Sequence, residues 1–148
     1  MSRRSLTAPL ALALALAGGT AFAPTATLAK ADSAIVSETF ARAENFFRND
    51  KLRDASLELK NVLRSSPDHA PARLMLGKIA LQGGELETAE KEIGRAHRLA
   101  PSDESAILLG EIALQRGNPK DALSMVAGDT GDTDLMVQKL VIRGAALV

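Results

Sequence analysis

The strongest constraint on this chain is that it repeats itself. The stretch Leu108–Ala122 (LLGEIALQRGNPKDA) echoes Met75–Ala89 (MLGKIALQGGELETA). Between Pro67 and Pro101 lie two segments of helical period, broken by Gly83-Gly84. A unit of about 34 residues made of two short helices is the signature of a solenoid. One such hairpin cannot bury its own apolar face, so neighbouring units must stack to make a core. The pattern therefore points to an all-α binding scaffold, and it names no ligand.

Composition agrees. Of the 148 residues, 46% are hydrophobic but only 3% are aromatic, with no Trp or Tyr. Leu and Ala dominate, as packed helices require. There is no Cys, so disulfides, thiolate metal sites, cysteine nucleophiles and a lipid-bearing cysteine are all excluded. The formal net charge is zero, yet residues 1–31 hold Arg3, Arg4 and Lys30 and no acid. The remainder carries 15 basic and 18 acidic residues. A mildly acidic repeat region without a basic patch argues against nucleic acid as a partner.

The N-terminus has the three-part layout of a secretory signal peptide. Arg3-Arg4 is the positive region, Leu10–Ala17 (LALALALA) the apolar one, and a small-residue stretch ends at Ala31. Cleavage after Ala31 satisfies the small-x-small rule through Ala29. Cleavage after Ala23 also fits, but Pro24 would follow it directly. A spanning helix needs about 20 apolar residues, and Gly18, Gly19 and Pro24 interrupt this one. We expect residues 1–31 to be a signal peptide that directs export to the periplasm or cell envelope. Membrane association is then expected only through an uncleaved signal segment or a partner.

Helices are expected over about Ser33–Arg48, Leu52–Ser65, Pro71–Gln82, Leu86–Leu99, Glu104–Arg116, from Pro119 to near Ala127, and Leu135–Val148. Asn49-Asp50 and Gly83-Gly84 make the first turns, because Asn, Asp and Gly tolerate left-handed backbone. Leu52, Ala55, Leu59 and Val62 form one buried stripe. Leu74, Leu76, Gly77, Ala80 and Leu81 form another, and Ala89, Ile93, Ala96 and Leu99 a third. Ser102 or Asp103 is the expected cap of the fifth helix, and Asn118 that of the sixth, with Pro119 in its first position. Gly94 lies mid-helix with no reason visible in the sequence. The last helix is apolar (Leu135, Met136, Val137, Leu140, Val141, Ile142, Leu147) and its face needs a cover. We expect either a partner or, with more weight, further repeats of a longer array.

These residues resemble tetratricopeptide repeats over about Ser33–Val148. Ala43, Ala55, Val62 and Pro67 mark the first unit; Leu76-Gly77, Ala89, Ala96 and Pro101 the second; Leu109-Gly110, Gly117 and Ala122 the third. Leu140 and Gly144 would open a fourth. The units fall at about 34–67, 68–101, 102–128 and 134–148. The third departs from the pattern, with a linker one residue shorter and no closing proline. The resemblance implies a right-handed superhelix of antiparallel hairpins. A narrower resemblance covers Leu57–Ala96: Lys60-Asn61, Ala72-Arg73 and Glu90-Lys91-Glu92 are similar to the repeat lipoproteins of the PEP-CTERM/exosortase system. Those are exported envelope proteins linked to sorting and exopolysaccharide production.

Motifs that carry chemistry are missing. No Gly-x-Ser-x-Gly elbow, phosphate loop or HExxH occurs, so no catalytic residue, cofactor or metal is expected. His69, beside Asp68, reads as a solvated turn, and His97 as half-exposed. Glu85, Glu87, Glu90 and Glu92, interleaved with Lys91 and Arg95, read as a solvated face with i,i+4 pairing. What remains is a groove. In the tetratricopeptide family the first helix of each hairpin lines the concave side, at one and at four to five residues past the small residue. The resemblance carries those positions to Glu44, Phe47 and Arg48; to Lys78, Leu81 and Gln82; and to Glu111, Leu114 and Gln115. Phe47, Leu81 and Leu114 would form an apolar stripe suited to an extended peptide or amphipathic helix, or would simply pack between repeats. The expected function is an exported scaffold for a protein or peptide partner, in PEP-CTERM-linked sorting or exopolysaccharide production. The alternatives are an assembly factor for pili or outer-membrane secretion, and the repeat arm of a larger enzyme.

Overall fold

A computed structural model describes residues 25–128 and 130–147. Seven helices and no strand occur among the described residues: α1 (Thr25–Arg48), α2 (Leu52–Ser65), α3 (Ala70–Gln82), α4 (Leu86–Leu99), α5 (Asp103–Gln115), α6 (Pro119–Met125) and α7 (Thr133–Ala146). They pair as α1–α2, α3–α4 and α5–α6, each hairpin stacked on the next, with α7 closing against α5 and α6. This is an all-α solenoid of the tetratricopeptide type.

One turn, used three times, makes the hairpins. The left-handed residue is Asp50 (φ 57°), then Gly84 and Gly117 (φ 74° each). The next residue's N–H reaches back to the sixth-last carbonyl: Lys51 to Phe46 at 2.9 Å, Glu85 to Ala80 at 2.9 Å, and Asn118 to Ala113 at 2.8 Å. This is the six-to-one bond of a Schellman ending. The same three residues then accept the first helical N–H of the second helix, from Ala55, Ala89 and Ala122. Asn118 thus begins α6 through its backbone, as Lys51 and Glu85 begin α2 and α4. None of the three makes a side-chain cap, which corrects the expected Asn118 cap. Ser102 is the true cap of α5, in a reciprocal box with Ser105.

Small residues let the helices approach. Ala43, Ala55, Ala89 and Ala122 are completely buried. A Cβ on Gly77 would press on the Ile93 side chain and lie 3.1 Å from the Ile93 backbone nitrogen. One on Gly110 would lie 3.2 Å from Val126 Cγ1. The core runs in three linked clusters: around Leu59 and Val62, around Ile93 and Ile112, and around Ile107, Val126 and Ile142. Each large aliphatic among them contributes about 1.5–3 kcal/mol by burial.

Further expectations need correction. Helix α1 is already formed at Thr25, the first described residue, well before the expected start near Ser33, and runs straight through the Ala31-Asp32 junction. No Gly or Pro interrupts the sequence from Thr25 to Arg48, so nothing stops a helix there. Most of the expected signal peptide, residues 1–24, lies outside the described residues. Leu99, expected in the core, is 41% exposed at the last position of α4. Leu52 is only half-buried, at the first position of α2.

Glu92 needs correction too, because it is not on a solvated face. It is buried and meets Arg73 Nη1 at 2.6 Å. Arg73 also donates to the Pro67 carbonyl, through Nε at 2.8 Å and Nη2 at 2.6 Å. Two more charges of this stretch pair away from α4: Arg95 with Asp68, and Glu90 with Arg116, each at 3.0 Å.

Gly94 has no structural duty. A Cβ there meets only Arg98 Nη1, at 3.5 Å. Gly94→Ala is expected to stabilise the protein by about 0.5–1 kcal/mol, the helix-propensity difference. A urea midpoint that rises with an unchanged slope is the check.

Candidate partner-binding face

The nine candidate groove residues lie in equivalent places on α1, α3 and α5. Each set follows a buried small residue, Ala43, Gly77 or Gly110. One helical turn on one face then exposes the same gradient three times. Glu44 and Phe47, Lys78 and Leu81, and Glu111 and Leu114 are half-buried, while Arg48, Gln82 and Gln115 are exposed. This regularity follows from helix period, since positions one, four and five past a buried residue curve progressively away from the core.

The apolar members are not a free stripe. Leu81 packs on the Ala89–Ile93–Ile112 cluster and Leu114 on the Ala122–Val126–Ile142 cluster. Each offers an edge to solvent while holding its repeat together. Lys78 reaches across to Glu104 at the start of α5, forming an ion pair between consecutive first helices. Glu111 is half-buried, and desolvation pushes its carboxyl above the usual range. A carboxyl held that way favours a partner that brings a cation or a hydrogen-bond donor.

The structure adds residues that the family spacing passed over. Glu104, Ile107 and Leu108 from α5 join Asp132, Asp134, Leu135 and Gln138 around α7 to line a cleft of about 320 Å³. Glu104 precedes Glu111 by seven residues on α5, so a heptad reading of that helix could have found it. Asp132 and Asp134 come from the loop and first turn of α7, where only the stacking of α7 on α5 brings them close. Gln82 lines a second cleft, of about 650 Å³, with Leu52, Arg53, Leu57, Ile79 and Glu85 between the first two hairpins.

Both histidines are tied into structure. His69, expected in a solvated turn, caps α3: its Nδ1 accepts from the Ala72 N–H at 3.1 Å. Its ring packs 4.8 Å from that of Phe40. Burial lowers its pKa from the usual 6.5, because a charged ring would lose hydration. The folded state thus takes up this proton less readily than the unfolded chain. Stability should be insensitive to this group above pH 6.5, and should fall as pH drops below 6.5 until the folded-state pKa is passed. His69→Asn keeps a capping oxygen without that titration, so it should flatten this part of the stability-against-pH curve. His97 Nδ1 lies 2.7 Å from Ser105 Oγ. This pairing cannot serve as a nucleophile and base, because Ser105 is 1% exposed and its hydroxyl is held by the Ser102 carbonyl at 2.8 Å. Among the described residues no group of three or more His, Cys, Asp or Glu could hold a metal. Nor is any described helix long and apolar enough to cross a membrane.

The family model of the tetratricopeptide repeat matches residues 40–104. That segment spans the last part of α1, all of α2, α3 and α4, and the start of α5. No curated protein matches the chain. The matched segment is similar to tetratricopeptide repeats, and α5–α6 continues its turn and packing geometry beyond the matched span. Such repeats generally bind protein or peptide partners.

Proposed function

We propose that this chain is an exported scaffold that holds a protein or peptide partner against the first helices of its repeats, in the bacterial envelope. The observation that carries the reading is the threefold recurrence of one surface, with Glu44–Phe47–Arg48, Lys78–Leu81–Gln82 and Glu111–Leu114–Gln115 each presenting a half-buried floor and an exposed polar edge. An extended segment lying across α1, α3 and α5 would meet this surface at regular intervals. The signal-like residues 1–31 support export. The similarity of Leu57–Ala96 to the repeat lipoproteins of the PEP-CTERM/exosortase system supports a setting in protein sorting or exopolysaccharide production.

Site-specific photo-crosslinking tests the reading. A photoreactive residue at Gln82 or Gln115 should trap one partner from the envelope fraction, and the same residue at Lys91 on the outer helix α4 should not. Equal trapping at all three positions, or none at any, would overturn it.

A further inference from the structure

The two junctions between hairpins are built alike but finished differently. At the second, between α4 and the end of α5, Glu90 meets Arg116 at 3.0 Å. The repeat register places Ser56 on α2 where Glu90 stands on α4, since each follows a buried alanine, Ala55 or Ala89. It likewise places Gly83 where Arg116 stands, since each precedes a left-handed glycine, Gly84 or Gly117. A serine and a glycine cannot form an ion pair, and at the first junction Ser56 and Gly83 line an open cleft of about 650 Å³.

The backbone does not demand that glycine. Gly83 has φ −79° and ψ −3°, and Arg116 holds φ −86° and ψ −1° in the same role. A Cβ at Gly83 would meet nothing closer than 3.5 Å. The cleft is open because of which residues stand there. Its lining has a definite chemistry. Leu57 is 60% exposed, and Leu52 and Ile79 add apolar surface. Arg53 and Lys60 flank Leu57 at four residues before and three after, so the three share one face of α2. Both cations are exposed, and neither has an ion-pair partner among the described residues. Glu85 is the one carboxylate in the lining, outnumbered two to one. At the second junction the residues equivalent to Arg53, Leu57 and Lys60 are Glu87, Lys91 and Gly94, which supply neither the apolar wedge nor the two cations.

We infer that this cleft docks an amphipathic helix with an acidic face from a partner protein. The surface is separate from the row on the first helices and shares only Gln82 with it. Arg53 and Lys60 are about 10.5 Å apart along α2. Carboxylates at i and i+7 of an incoming helix match that span, and leucines at i+3 and i+4 between them enter the cleft beside Leu57. The exposed cations steer and orient the acidic face, and salt weakens that attraction. A concave cleft receives inserted side chains, whereas an anionic bilayer presents a flat face.

Fluorescence anisotropy of the full chain with a synthetic peptide tests this. The probe is an alanine-based helix with Glu at i and i+7 and Leu at i+3 and i+4. It should bind at least tenfold more tightly than the same peptide with Lys in place of both Glu, and high salt should shrink the preference. Arg53→Glu with Lys60→Glu should weaken binding at least tenfold, and so should Leu57→Ala. Ser56→Glu with Gly83→Arg installs the second junction's bridge in the first. It should weaken binding at least tenfold while helical circular dichroism stays unchanged. Equal affinity for the Glu and Lys peptides, undiminished binding to either double variant or to Leu57→Ala, or binding of phosphatidylglycerol vesicles but not of the peptide would each overturn the inference. None of these variants alters a candidate residue on the first helices, so trapping at Gln115 succeeds or fails independently.

Discussion

Arg73→Ala is expected to lower unfolding stability by about 3–5 kcal/mol, as removal of one partner from a buried ion pair does. The guanidinium closes two contacts at once. It pairs with Glu92 of α4 at 2.6 Å and holds the Pro67 carbonyl, which belongs to the loop between the first two hairpins. Truncation strands the Glu92 carboxylate among buried groups and leaves the Pro67 oxygen without its donor. A loss of that size is a large share of the 5–15 kcal/mol that typical domains possess. The double variant Arg73→Met, Glu92→Leu separates the two causes. It should recover most of the stability, because apolar replacements remove the stranded charge along with the bond. Denaturant unfolding of the three chains measures both effects. A single variant within about 0.5 kcal/mol of the parent, the usual range for surface positions, would show that water reaches the pair.

Gly77→Ala should cost about 1–3 kcal/mol despite its better helix propensity, the range for overpacking a filled core. The new methyl would meet the Ile93 side chain and press toward its backbone nitrogen, 3.1 Å away. Side chains can rotate aside, but backbone cannot, so α3 and α4 must separate. Ile93→Ala in the same chain should partly rescue Gly77→Ala, since it removes most of the obstructing atoms. Thermal unfolding of the double-mutant cycle reads this coupling directly. The contrast with Gly94 is instructive. Two glycines stand inside helices of one hairpin, and alanine is expected to destabilise at one and stabilise at the other. They differ only in what faces them.

That contrast marks how far the sequence could be read. The boundaries of α2 and α4 were legible to the residue, because strong turn residues flank them and apolar positions recur at helical spacing. The helix over Thr25–Asp32 was not, because no Gly or Pro in that stretch distinguishes it from the helix that follows. The nine candidate groove residues were legible as a register, since a repeat fixes equivalent positions. Their depth was not, because half of Leu81 and Leu114 is decided by the neighbouring repeat. Glu92 was misread for the same reason. Its neighbours in the sequence are charged, and the partner that buries it lies 19 residues away.

What the sequence determined alone was everything local: helix period, the left-handed turn at Asp50, Gly84 and Gly117, and the small residues that allow close approach. These depend on backbone sterics and side-chain size, which each residue carries with it. What only the tertiary structure decided was which polar groups lie between hairpins and how deeply each helix face is buried. Arg73 with Glu92 and His69 under Phe40 depend on which helices become neighbours, and burial and pairing energies exist only once those surfaces meet.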